Sequence, residues 1–288
     1  MELSSAGILL AFVASIALGR LLKVKIPEAA FKLVVATLVF TISLWASTHG
    51  AAVLLQSLAT SAVMLALLTA VTLLLGMMID RGSSGNPGGK ARGRADPVLL
   101  LSIAGGWVAG LLVGERLSSL ISSAVTLEVY AVIIATGLTT ADAVTVDAVR
   151  KGGAVAMKAT GLSIVSALAT GFLASLTLAV PLEASLATML GLGWYSFAGP
   201  FVAQVYGPAW GFTAFLTNVL REQLTFILVP TLRKPRASMI SLGGATTMDN
   251  TLPVYVYTYG EEASIPSIIH GFLLTLLTPF LESLVVSL

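Results

Sequence analysis

"GGATTMDNTLP", residues 243–253, decides how this chain is read. Two adjacent glycines, four hydroxyl or amide side chains, a carboxylate and a proline stand together in a chain that is 56% hydrophobic and 10% charged. In hydrocarbon, non-helical backbone is tolerated only where protein surrounds it or where it lines a watery cavity, because unpaired N–H and C=O groups are costly there. The stretch therefore reads as a break inside an apolar segment. Gly243 and Gly244 let the backbone approach and unwind, Pro253 ends one half-helix or starts the next, and the hydroxyls of Thr246, Thr247 and Thr251 with Asp249 line the resulting cavity, with Asn250 a secondary candidate.

Working outward, a mean hydropathy of 0.94 over 288 residues leaves too little polar surface to coat a water-soluble globule. The composition is that of an all-α polytopic integral membrane protein. At about 20 apolar residues per crossing, ten segments emerge, approximately 3–22, 31–48, 56–79, 98–113, 119–138, 153–180, 184–203, 209–232, 238–258 and 263–287. The first is too long for a signal-peptide core and reads as a retained span. The polar run "DRGSSGNPGGKARGRAD", 80–96, reads as a flexible loop within a single transporter domain, 1–288.

Lysine and arginine mark the cytoplasmic side of short connections. Arg20, Lys23, Lys25 and Lys32, then the loop 80–97, then Arg150, Lys151 and Lys158 follow that rule, with the N-terminus outside. "RKPR", 233–236, breaks it if all ten segments cross. Segments seven and nine are also the odd ones in composition, seven through "GLGWYSFAGP", 191–200, whose Gly191, Gly193 and Ser196 interrupt an apolar run. If both are broken or re-entrant, eight segments cross fully, "RKPR" returns inside and both termini lie outside. An echo between "SIAGGWVAG", 102–110, and "SLGGATTMD", 241–249, is compatible with an inverted repeat of halves 1–139 and 150–288, a plan common among secondary transporters.

Of fourteen acidic residues, most sit in loops or at segment ends, but Glu222 lies mid-segment. An acid or arginine at the bilayer centre costs roughly 2.5–3.5 kcal/mol on insertion scales and faces a cavity or a partner. Arg221 is adjacent, and Asn218 is one turn earlier, beside both. A plain structural ion pair, Arg221 with Asp249 or Glu222, is the bland alternative. Glu128 reads as an interfacial acid. His270 reads as a packing histidine bonded to a neighbouring span, with a proton relay as the sharper alternative. Trp194 and Tyr195 are candidate walls of the cavity. No cysteine is present, and His49 and His270 are far apart, so a metal site is not expected; nor is a nucleic-acid partner.

"GLGWYSFAGP", "NVLREQLTFILVP" (218–230), "GGATTMDNTLPV" and "IIHGFLLTLLTPF" (268–280) occur in this order, and with them the chain resembles the lysine exporter family, LysO-type, strongly from about residue 185 onward and weakly before it. The resemblance implies export of L-lysine and toxic analogues such as thialysine across the cell membrane, and a pair of intramembrane acids, one in each half. Glu222 matches the C-terminal member through its Arg-Glu dipeptide. Segment two, "FKLVVATLVFTISLWAS", carries no carboxylate to match the other.

The expectation is a secondary exporter without cofactor, driven by protons, in which Glu222 alternates between cationic substrate and proton, directly or through Asp249. Broken-helix N–H groups take the α-carboxylate, and Thr246, Thr247 or Asn218 orient the amino groups. Another amino acid, an organic anion held by Arg221, or sodium coupling stay open on the same scaffold, as does a homodimer. An intramembrane enzyme is disfavoured: neither a Tyr-Asp nor a Gly-x-Gly-Asp element occurs, and no Ser/His pair has a nucleophile setting.

Overall fold

A computed structural model describes residues 5–23, 26–80, 97–140, 146–232 and 236–287. The connection 81–96 and residues 233–235 of "RKPR" lie outside them, as does Lys25. Among the described residues there is no strand. Helices take up the apolar stretches: α1 (Ser5–Leu22), α2 (Glu28–Ser47), α3 (Ala51–Ile79), α4 (Pro97–Val113), α5 (Ser118–Thr140) and α6 (Val146–Leu178), then α7 (Leu182–Leu190), α8 (Tyr195–Tyr206), α9 (Pro208–Leu232), α10 (Arg236–Gly243), α11 (Leu252–Tyr259) and α12 (Ser264–Val286). Proline opens α4 and α9 and immediately precedes α2 and α7. Its fixed φ suits a first turn, where the missing N–H has no helical partner in any case.

Five helical stretches are long and apolar enough to cross a membrane: Ala29–Ser47, Ala51–Ile79, Leu100–Leu138, Gly153–Leu178 and Ser264–Val286. α9 is not among them; its middle carries Asn218, Arg221 and Glu222. α2 and α4 run parallel, since a Cβ at Gly106 would meet the carbonyl of Phe40, and one at Gly110 that of Leu44. Small residues permit that approach. The Gly105–Gly106 pair of α4 thus stays inside one continuous helix, whereas its sequence echo, Gly243–Gly244, ends one.

Segments seven and nine each fold as two short helices turned back on one another. α7 returns along α6, with Ser185 Oγ donating to the Gly171 carbonyl at 2.8 Å. α8 then packs antiparallel to α9, where Gly199 lies against Phe215 and Gly211 against Ala203. Glu183 at the start of α7 and Tyr206 at the end of α8 are close enough to interact electrostatically, so the two half-helices end where they began. In the second hairpin Tyr255 Oη of α11 donates to the Met239 carbonyl of α10 at 2.8 Å. Val254, Tyr255 and Tyr259 share a core with Ala237, Met239 and Ile240.

α3 runs beside the second part of the chain. Ser57 and Ser61 donate to the carbonyls of Ala209 and Thr213, at 3.2 and 3.1 Å. At the far end of α3, Asp80 corrects its reading as the first residue of a polar loop. It is buried, and its Oδ2 accepts from Ser238 N at 2.9 Å and, by a short bond, from Ser238 Oγ. The first N–H groups of α10 lack helical acceptors, and a carboxylate there satisfies one while facing the positive end of the helix.

Candidate functional site

The tips of the two hairpins meet. Between α7 and α8 the chain turns through Leu192 and Gly193, at φ 49° and 96°, a left-handed region that costs a leucine and suits glycine. Between α10 and α11 it passes through a 3-10 turn, Gly244–Met248, with Gly244 at φ 65°. Ala245 N donates to the Leu192 carbonyl at 2.8 Å. A Cβ on Gly244 would collide with that same carbonyl, and one on Gly193 would press on Ala245 N and the Gly243 carbonyl. The opening stretch is therefore a break, and its glycines are what allow two backbones to touch.

α9 runs past this junction and ties both tips. Asn218 Oδ1 accepts from Gly193 N at 2.7 Å, while its Nδ2 donates to the carbonyls of Thr188 and Ala214 at 3.1 and 2.9 Å. Gly191 leaves room for that amide. Arg221 donates from Nε to the Leu242 carbonyl at 2.8 Å and from Nη2 to the Ser241 carbonyl at 2.7 Å, covering the negative C-terminal end of α10. Its bonds thus go to backbone, not to Asp249 or Glu222 as in the ion-pair alternative. Thr246 Oγ1 donates to the Gly243 carbonyl, and Thr247 Oγ1 to the carbonyls of Gly244 and Ser267. Asn218, Arg221 and Thr247 hold the junction together.

Asp249 faces a cleft, and Glu222 is tied to it through Asn250. Asp249 and Asn250 are exposed, and Asp249 Oδ1 accepts from Asn250 N at 2.6 Å. Asn250 Nδ2 donates to Glu222 Oε2 at 3.3 Å and to Tyr195 Oη at 3.4 Å, so Asn250 links the two acids, one through its backbone N–H and the other through its side-chain amide. Glu222 itself is buried, and Gln223 Nε2 reaches its Oε1 at 3.4 Å. The cleft, with a cavity of about 50 Å³, is lined by Gly193, Trp194, Tyr195 and Ser196 from the first tip and by Ala245, Thr246, Met248, Asp249 and Asn250 from the second. Phe31 and Val35 of α2, Thr136 of α5 and Thr275 of α12 close it. Tyr195 and Ser196 open α8, so the positive end of a helix meets the cleft. Pro200, one turn on, withholds the N–H that would otherwise bond the Ser196 carbonyl.

The remaining candidates lie apart. Glu128 lies between α5 and α2: its Oε1 accepts from Thr41 Oγ1 of α2 at 3.0 Å, and its Oε2 is buried. His270 is fully buried, with Nδ1 3.1 Å from Thr160 Oγ1 and Nε2 3.4 Å from Ser163 Oγ. The cleft walls from α2, α5 and α12 carry no polar signature that a linear reading could use. Asp80 and Glu282 stand at segment ends in the sequence, yet both are buried. Among the described residues no cluster of three metal-ligating side chains occurs.

Two broken hairpins touching at their tips beside a cleft that holds Asp249, with Glu222 linked through Asn250, define a helical membrane protein of the broken-helix kind. The chain belongs to the lysine exporter LysO family, whose model matches residues 100–286; the match reaches α4 and α5, further back than the motifs from residue 185 onward. The Escherichia coli lysine exporter LysO is 40% identical over 119 residues, 41% of this chain and 40% of that protein. A Haemophilus influenzae protein provisionally named a lysine exporter is 33% identical over 117 residues, 40% of this chain and 60% of that protein. The chain thus spans about 40% and 60% of the lengths of these relatives. No solved structure matches it.

Proposed function

We propose that this chain is a multi-pass cell-membrane exporter of L-lysine and of analogues such as thialysine, working by proton antiport. The observation that carries the reading is the pair of acids, Asp249 and Glu222, linked through Asn250 at the meeting point of two broken helices. Lysine has two ammonium groups and one carboxylate. Asp249 in the cleft, with Glu222 linked to it through Asn250, suits the ammonium groups, and the N-terminus of α8 suits the carboxylate. The E. coli relative's name points to the same substrate.

In this reading eight helices cross the bilayer and the two hairpins are re-entrant, so "RKPR" falls on the cytoplasmic side with Lys23 and Lys32. Phe31, Val35 and Thr136 belong to the cytoplasmic halves of α2 and α5, and the cleft opens inward. Moving cationic lysine out against an inside-negative potential takes about 2.3 kcal/mol per charge per 100 mV. A proton moving inward for each lysine offsets that, with Glu222 or Asp249 accepting the proton as an ammonium group leaves.

The test is lysine efflux from proteoliposomes loaded with labelled lysine, with and without an imposed proton gradient and in sodium-free and sodium-containing buffer. Gradient-driven efflux that falls at least tenfold in Glu222→Gln supports the reading. Efflux that follows sodium, or transport of an organic anion instead, replaces it.

A further inference from the structure

Glu282 lies on α12 with 0% exposure, and neither carboxyl oxygen has a hydrogen-bond partner. An ionised carboxylate stripped of water, donor and cation is among the least favourable groups a membrane helix can hold, and such a group is normally accommodated as the neutral acid. It needs a reason to be there, and its position supplies one.

Thr275, Thr278 and Glu282 follow one another at i, i+3 and i+7, so they share one face of α12, and all three are buried. Thr275 lines the cleft, at the level where α12 meets the second tip: its Oγ1 is 4.0 Å from Met248 Sδ. Glu282 is two turns further, roughly 10 Å along the axis at 1.5 Å per residue. Pro279 lies between them and leaves the Thr275 carbonyl without its helical donor. The face is thus polar from the cleft to Glu282.

α6 presents a matching stripe. α6 and α12 run in the same direction: Ala159 and Ala263 share one core cluster, whereas Ala174, Leu178 and Val285 belong to the other. Ser163 of α6 meets His270 of α12, and Ser166 and Thr170 follow Ser163 at the same helical spacing. Both hydroxyls are buried without a partner. Glu282 is therefore the end of a two-helix polar seam that starts at the cleft and runs away from its open side.

We infer that Glu282 is a proton-binding site on the far side of the hairpin crossing. It takes one proton from the outer solution as a carboxylic acid and passes it along the Thr278–Thr275 face to the cleft acid that a lysine ammonium group has vacated, returning to carboxylate. This rests on the proton-antiport reading but assigns the entry step to a residue outside the cleft. Among the residues whose side chains are described, the titratable groups on elements packed against α12 are Lys158 of α6, Glu183 of α7, Arg20 of α1, Tyr195 and Tyr206 of α8, Tyr255, Tyr257 and Tyr259 of α11, and Glu262 before α12; His270 lies on α12 itself, three turns back. None hydrogen-bonds to Glu282.

The experiment compares wild type with Glu282→Gln, checked for folding by gel filtration, in two assays on the same proteoliposomes. Lysine–lysine exchange needs no net proton movement and is expected to stay within about twofold, while net efflux driven by a proton gradient falls at least tenfold. Dicyclohexylcarbodiimide, which reacts with protonated buried carboxyls, is expected to modify Glu282 of the wild type, read by peptide mass spectrometry, more slowly as the pH rises. Unchanged gradient-driven efflux in Glu282→Gln, equal loss of both assays in folded protein, or no modification at Glu282 overturns the inference. Should the variant not fold, the labelling decides. Wild type that moves no lysine in either assay removes the lysine reading, while the labelling still tests Glu282.

Discussion

Arg221 carries a single charge whose role turns on geometry. Beside Glu222 in sequence, it is legible as half of an ion pair or as an anion site, yet its Nε and Nη2 bond the carbonyls of Leu242 and Ser241. Hydrogen bonds to a charged group contribute about 1.5–3 kcal/mol each. Arg221→Met is thus expected to lower the thermal midpoint of the detergent-solubilised protein by several degrees, with Arg221→Lys between the two; a midpoint equal to wild type for Arg221→Met would show that the α10 end needs no cation. Asn250 acts differently, as the link between two acids. Asn250→Ala removes one donor from Glu222 and is expected to raise the lysine concentration for half-maximal efflux about tenfold, the scale of one lost hydrogen bond to a charged group. An unchanged value would separate Asn250 from binding.

For the elements, the two breaks were readable because helix-breaking chemistry is local. "GLGW" and "GGATTMDN" each put glycine and polar groups where an apolar helix should continue, and the chain turns at both. What those motifs could not specify is that each pair of half-helices folds back and that the two tips touch through Ala245 N and the Leu192 carbonyl, a contact between residues more than fifty positions apart. Gly244→Ala tests that contact: a Cβ there meets the Leu192 carbonyl at positive φ. It is expected to abolish gradient-driven lysine efflux and to lower thermal stability, whereas Gly161→Ala, with open space at its Cβ, leaves both unchanged. The α3–α10 clamp is the second such contact. Asp80→Ala removes the acceptor of Ser238 N and is expected to destabilise by about 0.5–2 kcal/mol, as for loss of a helix cap, with Asp80→Asn milder; equal midpoints for all three proteins would assign the clamp no energetic role.

Taken whole, the molecule sets one cleft between helices from both ends of the chain: α2 and α5 on one side, the two tips and α12 on the other. Its open side is the prediction at this scale. The chain has no cysteine, so single cysteines report access without background. Thr246→Cys is expected to react with a membrane-impermeant maleimide in inside-out vesicles but not in right-side-out vesicles, and lysine is expected to slow the reaction. Labelling only from the outer face would reverse the proposed orientation of the cleft.

From sequence alone came the class of the protein, the course of its helices and the places where two of them break. These follow from hydrophobic length and from the conformational limits of glycine and proline, which act over one or two turns. Family resemblance was legible for the same reason, since its motifs are contiguous. Only the tertiary structure decided that Arg221 serves backbone carbonyls, that Asp80 is buried against Ser238, that Glu128 turns to Thr41, and that Glu282 lies buried at the end of a polar seam. Each of these depends on which distant segments pack together. In a chain so uniformly apolar, periodicity along one helix does not reveal which neighbour it meets, because nearly every face is hydrophobic enough to bury.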